Sequence, residues 1–559
     1  MKASEKLRKM TRLGLFVALA WVGVLEIHAQ NAKYLVLLKD KNSSPFSVDK
    51  PSDFLSTRAI ERRTRQGIKV TSRDLPVNPS YLTQIRQTGA KVWYSSRWLN
   101  AVLIEASTAQ LASVRNLSFV KGLEFNRALA NARMSAENQL QATQRKFGTE
   151  ALSYGASQNQ IQMLGIDKMH DQNYDGAGML IGIFDGGFRN SNTNPALKKI
   201  FDEKRVVNTY DFVKNEASVY EDDSHGHNVF TIMAGFQEGG LIGPAYGASY
   251  VLLRTEDAAT ETRLEEANWL FAAEYADSLG VDIINTSLGY SWGFDNPADD
   301  YLYAQMDGKT ALITRAANWA AATGMLVVVA AGNEGDAPWR YISAPADADS
   351  VLAIGAVTSQ KAITAFSSWG PTADGRVKPD VCAQGQLTVY SSFAGTITAG
   401  NGTSYSSPLI AGLVAAFWQS QPALTAAQVI DCIRRAGDRY SSPSPQYGYG
   451  IPTFEAATNV ARTRYPIMSA GGDAYLRSQA YIYPNPVGAS STLTVHWGQE
   501  FKNKKVEIQL VDVSGKVVFR QAYHTAEAET KLPLPILPSG SYFLKMNDNQ
   551  RERVLKVIK

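Results

Sequence analysis

Asn401-Gly402-Thr403-Ser404-Tyr405-Ser406-Ser407-Pro408 runs directly into Leu409-Ile410-Ala411-Gly412-Leu413-Val414-Ala415-Ala416-Phe417-Trp418. The second run is apolar and rich in small residues, and it predicts a buried helix over 402–419. The Gly-Thr-Ser run stands at the N-terminus of that helix. First-turn N–H groups have no intrahelical partner and the helix dipole is positive there, so a serine at this place suits a reaction that develops an oxyanion. Gly402 lets a substrate approach the backbone. Pro408 is read as tolerable because few N–H groups near the first turn have helical partners. Taken alone, the octapeptide is equally a Gly/Ser-rich helix cap.

A nucleophilic serine needs a base, and the base needs an orienting group. The chain has six histidines. His28 falls in a leader-like segment, and His496 and His524 fall in a separate C-terminal region. His170 has no motif around it and reads as a solvated surface residue. His225 and His227 lie in Asp222-Asp223-Ser224-His225-Gly226-His227-Asn228-Val229, where His-Gly opens another small apolar run. Upstream, Gly178-Met179-Leu180-Ile181-Gly182-Ile183-Phe184-Asp185-Gly186-Gly187 reads as a buried strand ending in a carboxylate at a glycine turn. The order is therefore Asp, His, Ser, one of the three orders in which this catalytic constellation occurs.

On these motifs, and on Val327-Val328-Val329-Ala330-Ala331-Gly332-Asn333-Glu334-Gly335 between them, the central region resembles the subtilisin-like serine proteases. The resemblance implies Asp185, His225 and Ser404 as the triad and Asn333 as a side-chain donor to the oxyanion. It implies that Ser287-Leu288-Gly289 pairs with an extended peptide, which is β-augmentation. It makes Ala330-Ala331-Gly332 a wall of the main specificity pocket, whose small residues suggest apolar or aromatic preference. His225 fills the His-Gly position. His227 stands where relatives usually have Thr, Asn228 where they usually have His, and Gly186 where they usually have Thr or Ser. For His227 a packed or loop role is the expectation. No cofactor is needed for the chemistry. Structural calcium is open, with Asp307 one loop carboxylate to watch, although no contiguous calcium loop is visible.

Composition narrows the other classes. Net charge is +4 over 559 residues and no basic stretch is interleaved with aromatics, which argues against nucleic-acid binding. There is no Cys-x-x-Cys or His-Glu-x-x-His spacing, which disfavours a zinc enzyme. Cys382 and Cys432 permit one disulfide, but their apolar contexts favour two buried free thiols. Lys2, Lys6, Arg8, Lys9 and Arg12 precede the apolar run 13–25, which reads as a signal peptide over 1–29 and not a stable membrane span.

Residues 30–127 interleave short helices and strands as a small α+β domain does. The resemblance implies that this is a propeptide that aids folding and acts as an intramolecular inhibitor. Residues 128–160 are polar and read as an exposed linker, with the maturation cleavage expected there and Arg133, Arg145 and Lys146 as basic sites. Residues 161–460 alternate strand and helix and form the peptidase domain, an α/β fold on a parallel sheet. Catalytic groups are expected at the C-terminal strand ends. After a linker over 461–479, residues 480–559 read as a small β-sandwich with a Ser514-Gly515 hairpin turn. Its Tyr483-Pro484-Asn485-Pro486, Asp512-Val513-Ser514-Gly515-Lys516 and Leu537-Pro538-Ser539-Gly540-Ser541-Tyr542 segments resemble the C-terminal sorting domain of Bacteroidetes type IX secretion. That implies outer-membrane export to the cell surface or medium, with the type IX machinery as a partner.

The leading expectation is a secreted serine endopeptidase acting on protein or peptide substrates through an acyl-enzyme. The alternative is an inactive subtilisin-like binding or adhesive surface protein, which the intact Asp, His, Ser and Asn disfavour. An α/β-hydrolase esterase would need a histidine after the serine and Gly-x-Ser-x-Gly around it. Ser406 breaks that motif.

Overall fold

A computed structural model describes residues 31–131, 152–465, 480–483, 492–525, 529–535, 537–548 and 552–559. The expected signal peptide and the basic sites Arg133, Arg145 and Lys146 lie outside them. The chain divides into two compact units, 1–461 and 462–559.

The first unit is built on a seven-stranded sheet. Its strands, in spatial order, are Val381–Gln384, Leu352–Val357, Leu326–Ala330, Ile283–Thr286, Leu180–Asp185, Ser249–Arg254 and Val206–Asp211. Every pairing along it is parallel. The strands Leu326–Ala330 and Leu180–Asp185 are buried at every residue. A parallel sheet with both faces covered demands that, and it is why Val327-Val328-Val329 can be apolar without alternation. Helices Arg263–Leu279 and Leu312–Ala322 pack together, and helices Thr403–Ser420 and His225–Ala234 do likewise. The long helix Thr403–Ser420 is buried from Thr403 through Trp418.

Residues 31–131 form a four-stranded antiparallel sheet in the order Lys91–Ser96, Ala101–Ala106, Ala32–Leu38, Val120–Leu123. A short strand, Ala130–Asn131, pairs with Ala32–Lys33. Period-two alternation splits the central strands into two faces. Val36, Leu38, Val102 and Ile104 pack on Ile85, Leu111 and Val114 of the region's own helices. Leu35, Ala101 and Leu103 face the other way and join one continuous core with Trp269, Phe271 and Ala272 of the helix Arg263–Leu279. The ends of the expected linker are packed: Leu129 and Gln160 are buried, and Gln160 exchanges hydrogen bonds with both backbone groups of Val389. Downstream, helix Phe454–Arg464 runs into the span read as the second linker.

The second unit has two antiparallel sheets. One holds Tyr481–Tyr483, Thr492–His496 and Glu529–Pro533. The other holds Val517–His524, Lys505–Asp512, Ser541–Asn547 and Glu552–Ile558. Their alternate residues Leu493, Val495, Ile508, Leu510, Leu544 and Met546 share one core, as in a β-sandwich. Both cysteines are buried and no disulfide joins them.

Candidate active site

Three elements deliver the polar groups to one cleft at the C-terminal edge of the parallel sheet. Strand Leu180–Asp185 ends with Asp185, which is fully buried. Helix His225–Ala234 begins at His225, whose N–H donates to the Asp223 carboxylate at 2.6 Å. His225 Nδ1 lies 2.8 Å from Asp185 Oδ1, which also accepts the Gly186 N–H at 2.9 Å. Gly226 makes this approach possible. A Cβ there would lie 2.5 Å from the Gly187 carbonyl and 2.7 Å from Asp185 Cβ. Burial pushes the imidazolium pKa down. The charge and hydrogen bond of Asp185, aided by Glu256 and Asp223, outweigh that and raise it to about 9.

Ser404 is the second residue of helix Thr403–Ser420, and Gly402 caps that helix at φ +150°, which only glycine adopts readily. The Ser404 hydroxyl donates to the Ser287 carbonyl at 3.3 Å, not to His225. The His225 ring stacks against Tyr405, the residue after Ser404, with centroids 6.1 Å apart. Asn333 Oδ1 accepts both the Thr403 N–H at 2.8 Å and the Thr403 hydroxyl at 3.0 Å. Asn333 and Ser404 line one cavity, and with the amide oxygen engaged by Thr403 the N–H groups are the remaining hydrogen-bonding capacity of that side chain.

Pro408 sits inside the helix, beyond the first turn. Its missing N–H leaves the Ser404 carbonyl without its helical partner. The Ser287 hydroxyl donates to that carbonyl at 3.1 Å. The proline is thus tolerated through a side chain from the neighbouring strand end, and not through its nearness to the helix start. Ser287→Ala should leave this buried carbonyl unsatisfied and cost about 1–3 kcal/mol. Urea unfolding in a Ser404→Ala background, where self-digestion is removed, reads this cost. An unchanged midpoint refutes it.

The cavity beside Ser404 has a volume of about 270 Å³. Ser287, Leu288, Gly289, Ala330 and Gly332 line it, but Ala331 does not. Ala331 is fully buried and donates its N–H to Ile354 at 3.0 Å. Alternation along an extended chain turns 330 and 332 to the cleft and 331 away from it. Sequence reasoning missed Thr403, which holds Asn333, and Asp223, which caps His225. Their signals were local: a hydroxyl beside the nucleophile, and a carboxylate two residues before a helix-opening histidine. It also missed Glu261, Trp292 and Glu334 on the cavity wall.

His170 and His227 are structural. His170 is buried, not solvated, and bonds Tyr154 Oη at 2.9 Å and the Pro244 carbonyl at 3.0 Å. His227 is fully buried, with Nδ1 2.9 Å from Ser191 Oγ and Nε2 2.9 Å from the Ser391 carbonyl. Burial lowers its pKa to about 4, against the hydrogen bonds to Ser391 and Ser392. Ser191 and His227 carry no carboxylate on the imidazole and both are closed to solvent, so they pack this region and offer no route to a substrate. Asp307 accepts the N–H groups of Lys309 and Thr310 and the Thr310 hydroxyl, closing its own turn.

This fold and site define a serine-type endopeptidase. The chain belongs to the subtilase family, which residues 176–450 match. Residues 33–144 match the peptidase S8 propeptide domain of Bacteroidota, and residues 481–559 match the secretion system C-terminal sorting domain. Subtilisin DY of Bacillus licheniformis is 32% identical over 302 residues, which are 53% of this chain and 97% of that protein. Subtilisin E of Bacillus subtilis (strain 168) is 31% identical over 312 residues, 55% of this chain and 71% of that protein. The protein is a secreted serine endopeptidase made as a zymogen, with a type IX sorting domain that directs it to the cell surface or medium. Among the described residues, no helix is long and apolar enough to cross a membrane.

Proposed function

We propose that Ser404 Oγ attacks the peptide carbonyl, His225 takes its proton and returns it to the leaving amine, and Asp185 orients the imidazole and stabilises its charged form. The Ser404 N–H and the Asn333 amide hold the oxyanion. Such an asparagine is worth about 2.7–4 kcal/mol in subtilisin. An extended peptide lies along Ser287-Leu288-Gly289. Its residue before the scissile bond fills the cavity walled by Ala330, Gly332 and Ser343, which admits a large apolar or aromatic side chain. The N-terminal domain is the intramolecular inhibitor, a reading supported by its packing on the helix Arg263–Leu279 through Leu35, Ala101 and Leu103. The single observation that carries the reading is the 2.8 Å contact of His225 with Asp185 beside a serine at a helix N-terminus.

A fluorophosphonate probe tests the reading, because it labels only a serine activated by a neutral base. Peptide mapping should place the label on Ser404. The base must be unprotonated to act, and its pKa is raised to about 9. The labelling rate and kcat/KM should therefore climb with pH, about tenfold per unit below that pKa, and level off on the alkaline side of the ordinary histidine value. A limb at or below pH 6.5, or label on another serine, counts against the assignment.

A further inference from the structure

Two carboxyl groups in the cleft have no partner of their own. Glu256 lies over the glycine that follows the catalytic aspartate. A Cβ at Gly186 would stand 3.2 Å from a Glu256 carboxylate oxygen. The carboxylate oxygens of Glu256, Glu261 and Glu265 lie within 4.8 Å of one another. Glu265 is tied by Thr262 N–H, the Thr260 hydroxyl and Tyr290 Oη. Among the described residues, neither the Glu256 nor the Glu261 carboxylate accepts a hydrogen bond or forms an ion pair, and the one basic group whose charge acts on Glu256 is the ring of His225. Arg254, two residues before Glu256, is committed to the Gly186 carbonyl, Asp211, Asp222 and Asp257. Three carboxyl groups this close cannot all ionise without a cation. Burial first, then the neighbouring acids, raise Glu256 to about 8 and Glu261 to about 7.

The position says which cation. Glu261 lines the same cavity as Ser404 and Ser287-Leu288-Gly289, and Glu256 lies over Gly186 beside Asp185, so the two acids stand at the edge of the track of the bound peptide. A hard divalent ion asks for six to eight oxygen ligands, and Glu265 has already spent its capacity on three donors. A lysine or arginine side chain needs only the two idle carboxylates and arrives with each substrate. We propose that Glu256 and Glu261 form an anionic subsite that selects a basic side chain on the acyl side of the scissile bond, at the residue preceding the one that fills the cavity beside Ser404. This rests on Ser404 as the nucleophile.

The test uses mature enzyme from the full chain and acylated dipeptide nitroanilides, with Phe next to the scissile bond and Arg, Lys, norleucine or Glu before it. For the wild type, kcat/KM with Arg or Lys should exceed that with norleucine by about 10–100-fold, with Glu poorest. In Glu256→Gln/Glu261→Gln the ratio of Arg to norleucine should collapse toward unity. The ratio is read within each preparation, so the fraction of active enzyme cancels. A wild type that hydrolyses casein but ignores this charge overturns the subsite alone. A ratio unchanged by the double substitution does the same. Millimolar calcium that erases the preference and raises the wild-type melting temperature, but not that of the double variant, overturns it in favour of a metal. A wild type inert on casein overturns the nucleophile assignment and the subsite with it.

Discussion

Ser404→Ala should abolish casein hydrolysis, and the secreted chain should keep its N-terminal region after signal removal. Loss of the nucleophile costs on the order of 10⁶-fold in kcat in subtilisin, and the same loss is expected here. The fall has a local cause. Removing Oγ deletes a hydroxyl that lines one cavity with Asn333, on the helix whose Tyr405 stacks on His225. The fold has no reason to change, because the bond that spans the Pro408 defect uses the Ser404 carbonyl and the Ser287 hydroxyl. The variant should therefore be full-length, folded and inert. Intact mass and casein cleavage, measured side by side with the wild type, read both halves of the expectation. A variant that still matures requires another protease to do the processing. A wild type that is correctly folded and matured yet inert favours the binding-protein alternative.

The parallel sheet was legible where its strands are apolar on both faces, as in Leu326–Ala330 and Leu180–Asp185. The two edges were not. Val206–Asp211 is polar at Asn208, Thr209 and Asp211 and mostly half-buried, so its apolar signal is weak, whereas Val381–Gln384 is buried throughout but only four residues long, too short to show a pattern. Asp185, His225, Ser404 and Asn333 were legible as a candidate site because each closes or opens an apolar element within a few residues. The acidic pair was not. Glu256 and Glu261 sit in a loop with no periodicity, and their meaning depends on Gly186 and Ser287, which the fold brings from far along the chain. His170 was misread for the same reason: Tyr154 and Pro244 bury it, and neither is its neighbour in a motif. The basic stretch at 58–65 was visible as charge. Its use was not, because Asp277 and Asp282, which pair with Arg62, Arg63 and Arg58, lie more than two hundred residues away.

Those partners set the second large effect. Asp277, fully buried on the helix Arg263–Leu279, accepts from Arg62, Arg63 and Arg97 of the N-terminal domain. Burial pushes its pKa up, but the three guanidinium groups outweigh that and hold it below the usual aspartate value. Arg62 and Arg63 are themselves buried, so they have no water to fall back on. Replacing a buried ion pair by apolar groups can be neutral, whereas removing one partner strands the other. Asp277→Ala removes the paired carboxylate of Arg62 and Arg97 and leaves Arg63 with Asp74 alone. It should weaken the docked state by about 3–5 kcal/mol, equivalent to on the order of 10²–10⁴-fold more undocked chain. The Ser404→Ala chain supplies an uncleaved background, and trypsin cuts the arginine-rich helix Thr57–Arg65 only when it leaves the surface. When redocking is faster than cutting, the cleavage rate follows the undocked population and should rise by the same factor. The neighbouring Glu274 provides a contrast, since it accepts backbone N–H groups of Arg97 and Trp98 and the Ser96 hydroxyl, and so strands no buried side-chain cation when replaced by Gln. Glu274→Gln should accelerate trypsin far less than Asp277→Ala. Equal effects would mean that the apolar face of Leu35, Ala101 and Leu103, and not the arginine cage, holds the N-terminal domain in place.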